Sequence, residues 1–548
     1  MSVFEKFFRE TFDDQGRLIA FDVQYPPDFN YGYDVVDAIA AETPDKRALV
    51  WCNTEGEERI FTFDDIRRLS NQAANVFLNA GIRKGDYVIT SLKRHYEYWI
   101  TAIALHKIGA VLTPVTYMLT AEDLVYRLRS AKIAGIVCTP EGDVPQRVAE
   151  AVATVEKEGL HCKVWSAKRS VLGFENFTAA MEAASDQLER QPTKATEPII
   201  LYFTSGTTGE PKGVLHSHTY PLGHALGAKY WHQVREDGLH FTVADTGWSK
   251  TSWGKIYGQW LAGTAVMVFD FDNFDPRQLV TVINRYGVTT FCAPPTIYRY
   301  LVRKEIAPMP TLCHATSAGE LLNPEVSRRF SQFTGLPINE GYGQTEGVLL
   351  LGNFKGYEPQ AGSVGIPTPQ YQIELMRRDG TPAETGELGE IVIRPTREDG
   401  LIPGIFVAYL NDEEQYKYVW RYGVYHTGDS AIRDENGYYW FQGRFDDLIK
   451  TGGYRVGPYE VENILMEHPA VVECSVVGVP DPLRGQAIKA IIILDSGYEP
   501  THALEKELRE FCNSRMAEYK WVRIVEFVRE MPKTFSGKIQ KYQQRKKK

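Results

Sequence analysis

Cysteine is scarce. Seven occur in 548 residues, at positions 52, 138, 162, 292, 313, 474 and 512, and no two form a C-x-x-C pair. That spacing argues against a disulfide scaffold, a zinc ribbon or a dithiol redox centre, and a reducing compartment is the simplest setting. Nor is there an uninterrupted apolar run of the roughly 20 residues that a bilayer-spanning helix needs, so no membrane span is expected. Positive charge is not in excess: 61 Lys and Arg stand against 70 Asp and Glu, a net charge of −9, which argues against neutralising a nucleic-acid backbone as the main role. The first residues, MSVFEKFFRETFDDQGRL, mix acids and bases with Phe4, Phe7, Phe8 and Phe12 at helical spacing, and contain no signal-peptide core. A cytoplasmic location is expected. The basic ending KYQQRKKK reads as a solvated tail.

What is present suits several folding units with ordinary cores, since 43% of the residues are hydrophobic and 24% charged. Residues 87–139 alternate apolar runs (YVITSL, AVLTPVT, AGIVCT) with periodic stretches, the βαβαβ pattern of a parallel sheet covered by helices. The alternation resumes at IILYF (199–203), HFTVAD (240–245), TAVMVFD (264–270), a helical stretch Pro276–Tyr286 and TTFCAP (289–294). From about residue 370 the texture changes to short strands with turns at Asp379-Gly380 and Thr385-Gly386, a β-rich subdomain over about 370–445. After GRFDDLIKTGGYRVGP, a helix starting at Pro458, strands at VVECSVVGV and AIKAIIILD, and a helix near 501–514 read as a small α+β domain. The expected fold class is α/β: a large N-terminal domain of stacked α/β subdomains (1–445) and a small, mobile α+β C-terminal domain (446–548).

The segment Thr204-Ser205-Gly206-Thr207-Thr208-Gly209-Glu210-Pro211-Lys212-Gly213 follows directly on the strand IILYF. Glycines let backbone approach a ligand, successive amides converge on an anion, hydroxyls add donors, and Lys212 adds positive charge. The physical reading is a polyphosphate cradle. It is not the Walker loop, because proline precedes Lys212 and Gly213 follows it where a Ser or Thr would bind magnesium.

Further segments come in a fixed order: Gly319-Glu320-Leu321, Glu340-Gly341-Tyr342-Gly343-Gln344-Thr345-Glu346, Tyr425-His426-Thr427-Gly428-Asp429, Gly443-Arg444-Phe445-Asp446-Asp447, Gly452-Gly453-Tyr454-Arg455, and Pro532-Lys533-Thr534-Phe535-Ser536-Gly537-Lys538. With the loop, they resemble the motifs of adenylate-forming enzymes, the superfamily of acyl-CoA synthetases, peptide-synthetase adenylation domains and firefly luciferase. The likeness runs from about Ala48 to Lys541 and is strongest to the medium-chain acyl-CoA synthetase branch.

The resemblance implies ATP, Mg²⁺ and coenzyme A acting on a small carboxylate. Activating a carboxylate with ATP sets two anions against each other, so cations must shield the α-phosphate before attack. By resemblance Lys538 bridges carboxylate and α-phosphate, with Lys212 as a second catalytic cation, and Thr345 donates its hydroxyl to that phosphate. Glu346 offers Mg²⁺ a hard oxygen. Thr204, Ser205, Gly206, Thr207, Thr208 and Gly209 surround the phosphates. Gly319, Glu320 and Leu321 line one side of adenine, Glu340, Gly341 and Tyr342 stack on the other, and Gly343 and Gln344 belong to the same nucleotide motif. Asp429 accepts from the ribose, and Arg444 and Arg455 add positive charge beside ribose and phosphate. Asp446 is the hinge about which the small domain turns after adenylation, carrying Lys538 away and bringing Gly453 to border a channel for the coenzyme A thiol.

In acetate-specific relatives the place of Gly343 carries tryptophan, so a pocket longer than two carbons is expected, suiting a medium-chain, branched or aromatic acid. Trp248 and Trp253 either wall that pocket or belong to the core, and Lys250 meets either the acyl group or a structural carboxylate. Loading of a carrier protein is the alternative; no carrier-type serine segment follows Lys538, which favours free coenzyme A. Luciferase-type oxidation is a weaker option. A non-catalytic acyl or nucleotide binder would need a broken catalytic set, whereas Lys538, Thr345, Glu346 and Asp429 are all present. As partners, nucleic acid is not expected and a homodimer is left open.

Overall fold

The structure is a computed structural model that describes residues 2–205, 211–303, 306–320, 322–396, 401–533 and 539–546. The βαβαβ pattern is found where the alternation puts it: strands Tyr87–Ser91, Val111–Pro114 and Gly135–Cys138 are parallel neighbours, with helices Glu97–Ile108 and Ala121–Ala131 between them. They lie inside an eight-stranded sheet that also holds Pro198–Ser205, Pro211–Ser217 and, at its edge, Ala408–Tyr409. A second, nine-stranded sheet carries Arg47–Asn53, Leu239–Thr242, Ala265–Asp270, Thr290–Cys292, His314–Ala318 and Ile338–Gly343.

Helix Glu97–Ile108 is buried on every face, as a helix clamped between two sheets must be. One apolar cluster unites Leu49 and Val266 of the nine-stranded sheet with Val88, Leu112 and Ile200 of the other. The single basic group on this helix that needs compensation, Lys107, pairs with Asp37 at 2.7 Å and donates to Asn71 Oδ1 at 2.7 Å.

A four-stranded antiparallel sheet follows, Gln372–Met376, Leu388–Arg394, Tyr425–Arg433 and Tyr439–Arg444. The C-terminal residues then build a separate sheet from Ile449–Thr451, Tyr454–Val456, Val471–Asp481, Gly485–Leu494 and Val522–Phe527, covered by helices Pro458–Met466 and His502–Asn513. Its own core gathers Val461, Leu465, Val476, Ile488 and Leu508. This small domain touches the large one where Tyr459 packs on Phe441, ring centroids 5.1 Å apart, and where Asn323 Nδ2 donates to the Met466 carbonyl at 2.9 Å.

Two local expectations change. The N-terminal phenylalanines do not share one helix: Ser2 caps a helix of only Val3–Phe7, and Phe8–Phe12 pairs as a strand with Leu18–Val23. Phe8 reaches Phe21 in a stacked contact at 5.1 Å that a continued helix would forfeit, while Phe12 is left exposed. HFTVAD is strand only through Thr242, because Asp245 leaves the sheet edge to pair with Arg94. Thr345 and Glu346 sit in an irregular connection between strands Ile338–Gly343 and Leu349–Gly352.

Candidate active site

Two paired strands flank the expected phosphate-loop segment in the sequence. Strands Pro198–Ser205 and Pro211–Ser217 are antiparallel, with Thr204 opposite Lys212 and Ser205 opposite Pro211. Gly206, Thr207, Thr208 and Gly209 lie outside the described residues, as do Leu321 and Lys538. In a strand, residues two apart share a face, so Lys212, Val214 and His216 point the same way. His216 then reaches Thr345: its Nε2 donates to the Thr345 carbonyl at 2.7 Å. Burial drives the His216 pKa down to about 3, so this imidazole is neutral and serves as a fixed donor.

The strand Ile338–Gly343 delivers the second motif. At Gly341 any side chain would strike Trp231, whose ring atoms lie 2.8 Å from a built Cβ, and Trp231 Nε1 donates to the Glu340 carbonyl at 3.2 Å. The Glu340 carboxyl is wholly buried, and desolvation raises its pKa to about 8 although the Leu322 amide donates to it at 3.3 Å. Tyr342 donates to Asp429 Oδ2 at 2.7 Å, and Gln344 donates both to that same oxygen and to the Thr427 carbonyl at 2.8 Å. Tyr425 in turn donates to Gln344 Oε1 at 2.9 Å. Asp429 is thus not a carboxylate with two open oxygens. One is committed to orienting the motif, and the other faces Arg444 at 3.8 Å.

Thr345 Oγ1 lies 3.3 Å from Ser249 Oγ, at the start of helix Lys250–Gly254. The nucleotide motif and the Trp248–Trp253 segment therefore meet at one threonine. Glu346 is held from the other side: Tyr409 donates to its Oε1 at 3.0 Å, the Phe406 amide donates to its carbonyl at 2.8 Å, and its second carboxylate oxygen has no hydrogen-bond partner among the described residues. A lone carboxylate with one oxygen to spare suits Mg²⁺, which takes few protein ligands beside phosphate oxygens, and no cluster of three or more metal-ligating side chains exists among the described residues.

The substrate-pocket expectation needs correcting at Gly343. A Cβ there would lie 2.3 Å from Trp253 Cη2 and 2.2 Å from the Val348 carbonyl, so the bulk that glycine lacks is supplied by another chain segment. Trp253 is core: buried, edge-on to Trp231 at 6.5 Å, and laid against the strand end that leads to Thr345. Trp248 is half-buried. Lys250 Nζ donates to the Ala318 carbonyl at 2.6 Å, beside Gly319.

Glu320 pairs with Arg299 at 3.6 Å, and Gly319 has a φ of 100°, the left-handed region that glycine adopts without strain. Arg444 spans Asp429 and Asp446, the latter at 3.4 Å. Gly453 and Arg455 are not brought to this site: they lie on an exposed hairpin whose Tyr454 stacks on Tyr519 at 4.3 Å. That hairpin pairs within the small domain, Thr451 with Gly485, which directs its tip to solvent. Sequence reasoning missed His216, Ser249, Tyr425 and Tyr409 as supports. Strand alternation from Lys212 would have found His216; nothing local announces Tyr409, which is placed by pairing with Val214.

A motif tied to Asp429, a hydroxyl and a carboxylate side by side at Thr345 and Glu346, and a small domain with its own core fit an adenylate-forming enzyme. The sequence profile of the AMP-binding enzyme family matches residues 36–405, and that of the AMP-binding enzyme C-terminal domain matches 460–538; the chain belongs to this family. Within it the chain is an acyl-CoA synthetase, using ATP and coenzyme A. It is similar to the human mitochondrial acyl-coenzyme A synthetase ACSM3, 37% identical over 540 residues that cover 96% of this chain and 91% of that one. The mouse mitochondrial ACSM4 is 36% identical, covering 97% and 92%. Among solved structures it resembles the anthranilate CoA ligase AuaEII bound to anthranoyl-AMP (TM-score 0.83, 27% identity, 95% and 97% covered) and a Brucella canis acyl-CoA synthetase (TM-score 0.71, 30% identity, 95% of each).

Proposed function

We propose that the carboxylate is a compact apolar acid, branched or aromatic, from within the medium-chain, branched or aromatic range. The observation that carries this is the contact of Trp253 with Gly343 beside Thr345, which puts an indole where an extended chain would run. Ligand sites of this kind are mostly apolar with a few convergent polar groups. The anthranilate CoA ligase that the chain resembles acts on an acid of this kind.

In the first step the carboxylate oxygen attacks the α-phosphorus and the bond to pyrophosphate breaks; in the second the thiol attacks the acyl carbonyl and AMP leaves. Thr345 presents its hydroxyl to the α-phosphate from a backbone pinned by His216. Asp429, oriented by Tyr342 and Gln344, accepts from the ribose. Glu346 would hold Mg²⁺, which when bound neutralises phosphate charge. Lys212 and Lys538 supply the remaining positive charge. An extended positional shift between the steps fits the separate core of residues 446–548 and the Arg444–Asp446 pair at its boundary.

A pyrophosphate-release screen over benzoate, isobutyrate, butyrate, hexanoate and octanoate, with and without coenzyme A, tests the reading. Benzoate or isobutyrate should lead, with AMP as coproduct. ADP and orthophosphate would end it, and octanoate leading would end the compact-pocket argument alone. Trp253→Ala should raise kcat/KM for hexanoate relative to isobutyrate by about 10-fold or more, because pocket discrimination runs at one to a few kcal/mol per methylene. It should also cost about 3–5 kcal/mol of stability, as emptied aromatic sites do. An unchanged selectivity order would remove Trp253 from the pocket.

A further inference from the structure

Five residues, Phe406-Val407-Ala408-Tyr409-Leu410, join the strand leaving the phosphate loop to the carboxylate of the second motif. On one side Ala408–Tyr409 adds to the edge of the eight-stranded sheet, Tyr409 opposite Val214 and Ala408 opposite Leu215. The Val407 amide donates to the Leu215 carbonyl at 2.8 Å and the Leu410 amide to the Gly213 carbonyl at 2.7 Å. On the other side the Phe406 amide donates to the Glu346 carbonyl at 2.8 Å. Tyr409 itself is buried, its ring packed on Phe406 with centroids 4.8 Å apart.

This one side chain meets two charged groups of the site. Its hydroxyl donates to Glu346 Oε1 at 3.0 Å, and the Lys212 ammonium stands 5.8 Å from its ring centroid, within the range of a cation–π contact. Glu346 lies in an irregular connection, with neither helix nor strand to restrict its rotamer. Without a second contact its carboxylate plane is free to turn, and a cation that demands near-octahedral geometry would pay for that freedom at each binding event. The Tyr409 bond occupies Oε1 and so selects Oε2 as the oxygen offered. Supporting hydrogen bonds of this kind commonly change metal affinity by 10- to 100-fold.

We propose that Tyr409 is a positioning residue for magnesium–ATP, its hydroxyl aligning the Glu346 carboxylate for the cation while its ring seats Lys212 toward the phosphate loop. This rests on the reading of Glu346 as the magnesium carboxylate. Tyr409→Phe keeps the ring and removes the hydroxyl; Tyr409→Leu removes both. The measurement is calorimetric binding of a non-hydrolysable ATP analogue to the full chain, without carboxylate, across a magnesium series.

Tyr409→Phe should raise the magnesium concentration needed for half-maximal binding by about 10-fold, with affinity recovering at saturating magnesium. Tyr409→Leu should add a loss that magnesium does not restore. Pyrophosphate formation by Tyr409→Phe should likewise recover as magnesium rises, a rescue that a merely structural defect would not show. Glu346→Gln supplies a second route: adding Tyr409→Phe to it should shift the magnesium dependence no further.

A magnesium curve for Tyr409→Phe that superimposes on the parent, or a further shift in the double variant, overturns the role of Tyr409 while leaving Glu346 in place. Binding to the parent chain that ignores magnesium overturns the reading of Glu346, and this inference with it.

Discussion

Lys538→Ala is expected to slow pyrophosphate formation by at least about 10²-fold while coenzyme A thioester still forms, within a few-fold, from supplied acyl-adenylate. The asymmetry follows from charge. Attack of a carboxylate on ATP forces two anions together, whereas attack of a thiol on the neutral carbonyl of the adenylate does not. Lys212 cannot substitute, because it belongs to a strand of the large domain and is held against Tyr409. Lys538 comes from the small domain, and residues before and after it in the chain are anchored there: Lys533 pairs with Glu473 at 2.9 Å and Lys541 with Glu462 at 2.7 Å. Single-turnover measurement of each half-reaction decides the matter. Equal losses in both would contradict the role.

The second large effect is acid destabilisation. Eight of the twelve histidines, His95, His106, His216, His218, His224, His232, His240 and His314, are held neutral chiefly by burial, with values of about 3 for His216 and His240 and about 4 for His218 and His314. Their protons bind the unfolded chain first, at an ordinary pKa near 6.5. Stability is therefore intact above about pH 6.5 and is lost as pH falls toward 4 and 3. Each such histidine costs about 2 kcal/mol by pH 5, so the four with values alone approach about 8 kcal/mol, comparable to the roughly 5–15 kcal/mol that holds a domain together.

Glu340 acts in the opposite sense. Its pKa, raised to about 8, makes it a neutral acid in the fold, so its contribution is present at low pH and is lost as pH rises from about 4.5 through 8. Burial raises Asp37, Glu97 and Asp270 as well, and four carboxyls do not offset eight imidazoles. Thermal unfolding midpoints measured from pH 8 to pH 5 should fall steeply below pH 6.5, and a level profile down to pH 5 would refute the account.

Much of the architecture can be read in the chain because it rests on local periodicity. The strands around residues 87–138, the helix Pro276–Tyr286 and the helix beginning at Pro458 depend on where apolar residues recur and where proline and glycine interrupt them. The ordered glycine-rich motifs likewise identify the chemistry, since their residue types are needed wherever the segments end up. Phe8 shows the limit of periodicity: helical spacing lost to a strand pairing that buries it against Phe21.

The amino-acid order alone determined the class of reaction and the division into a large and a small domain, because motifs and periodic runs carry these within a few dozen residues. Only the tertiary structure decided that Trp253 fills the space at Gly343, that half of Asp429 is spent on Tyr342 and Gln344, and that Tyr409 reaches Glu346 across 63 positions. These are contacts between residues far apart in the chain. Close packing and sheet pairing set them, and neither leaves a mark in the local sequence.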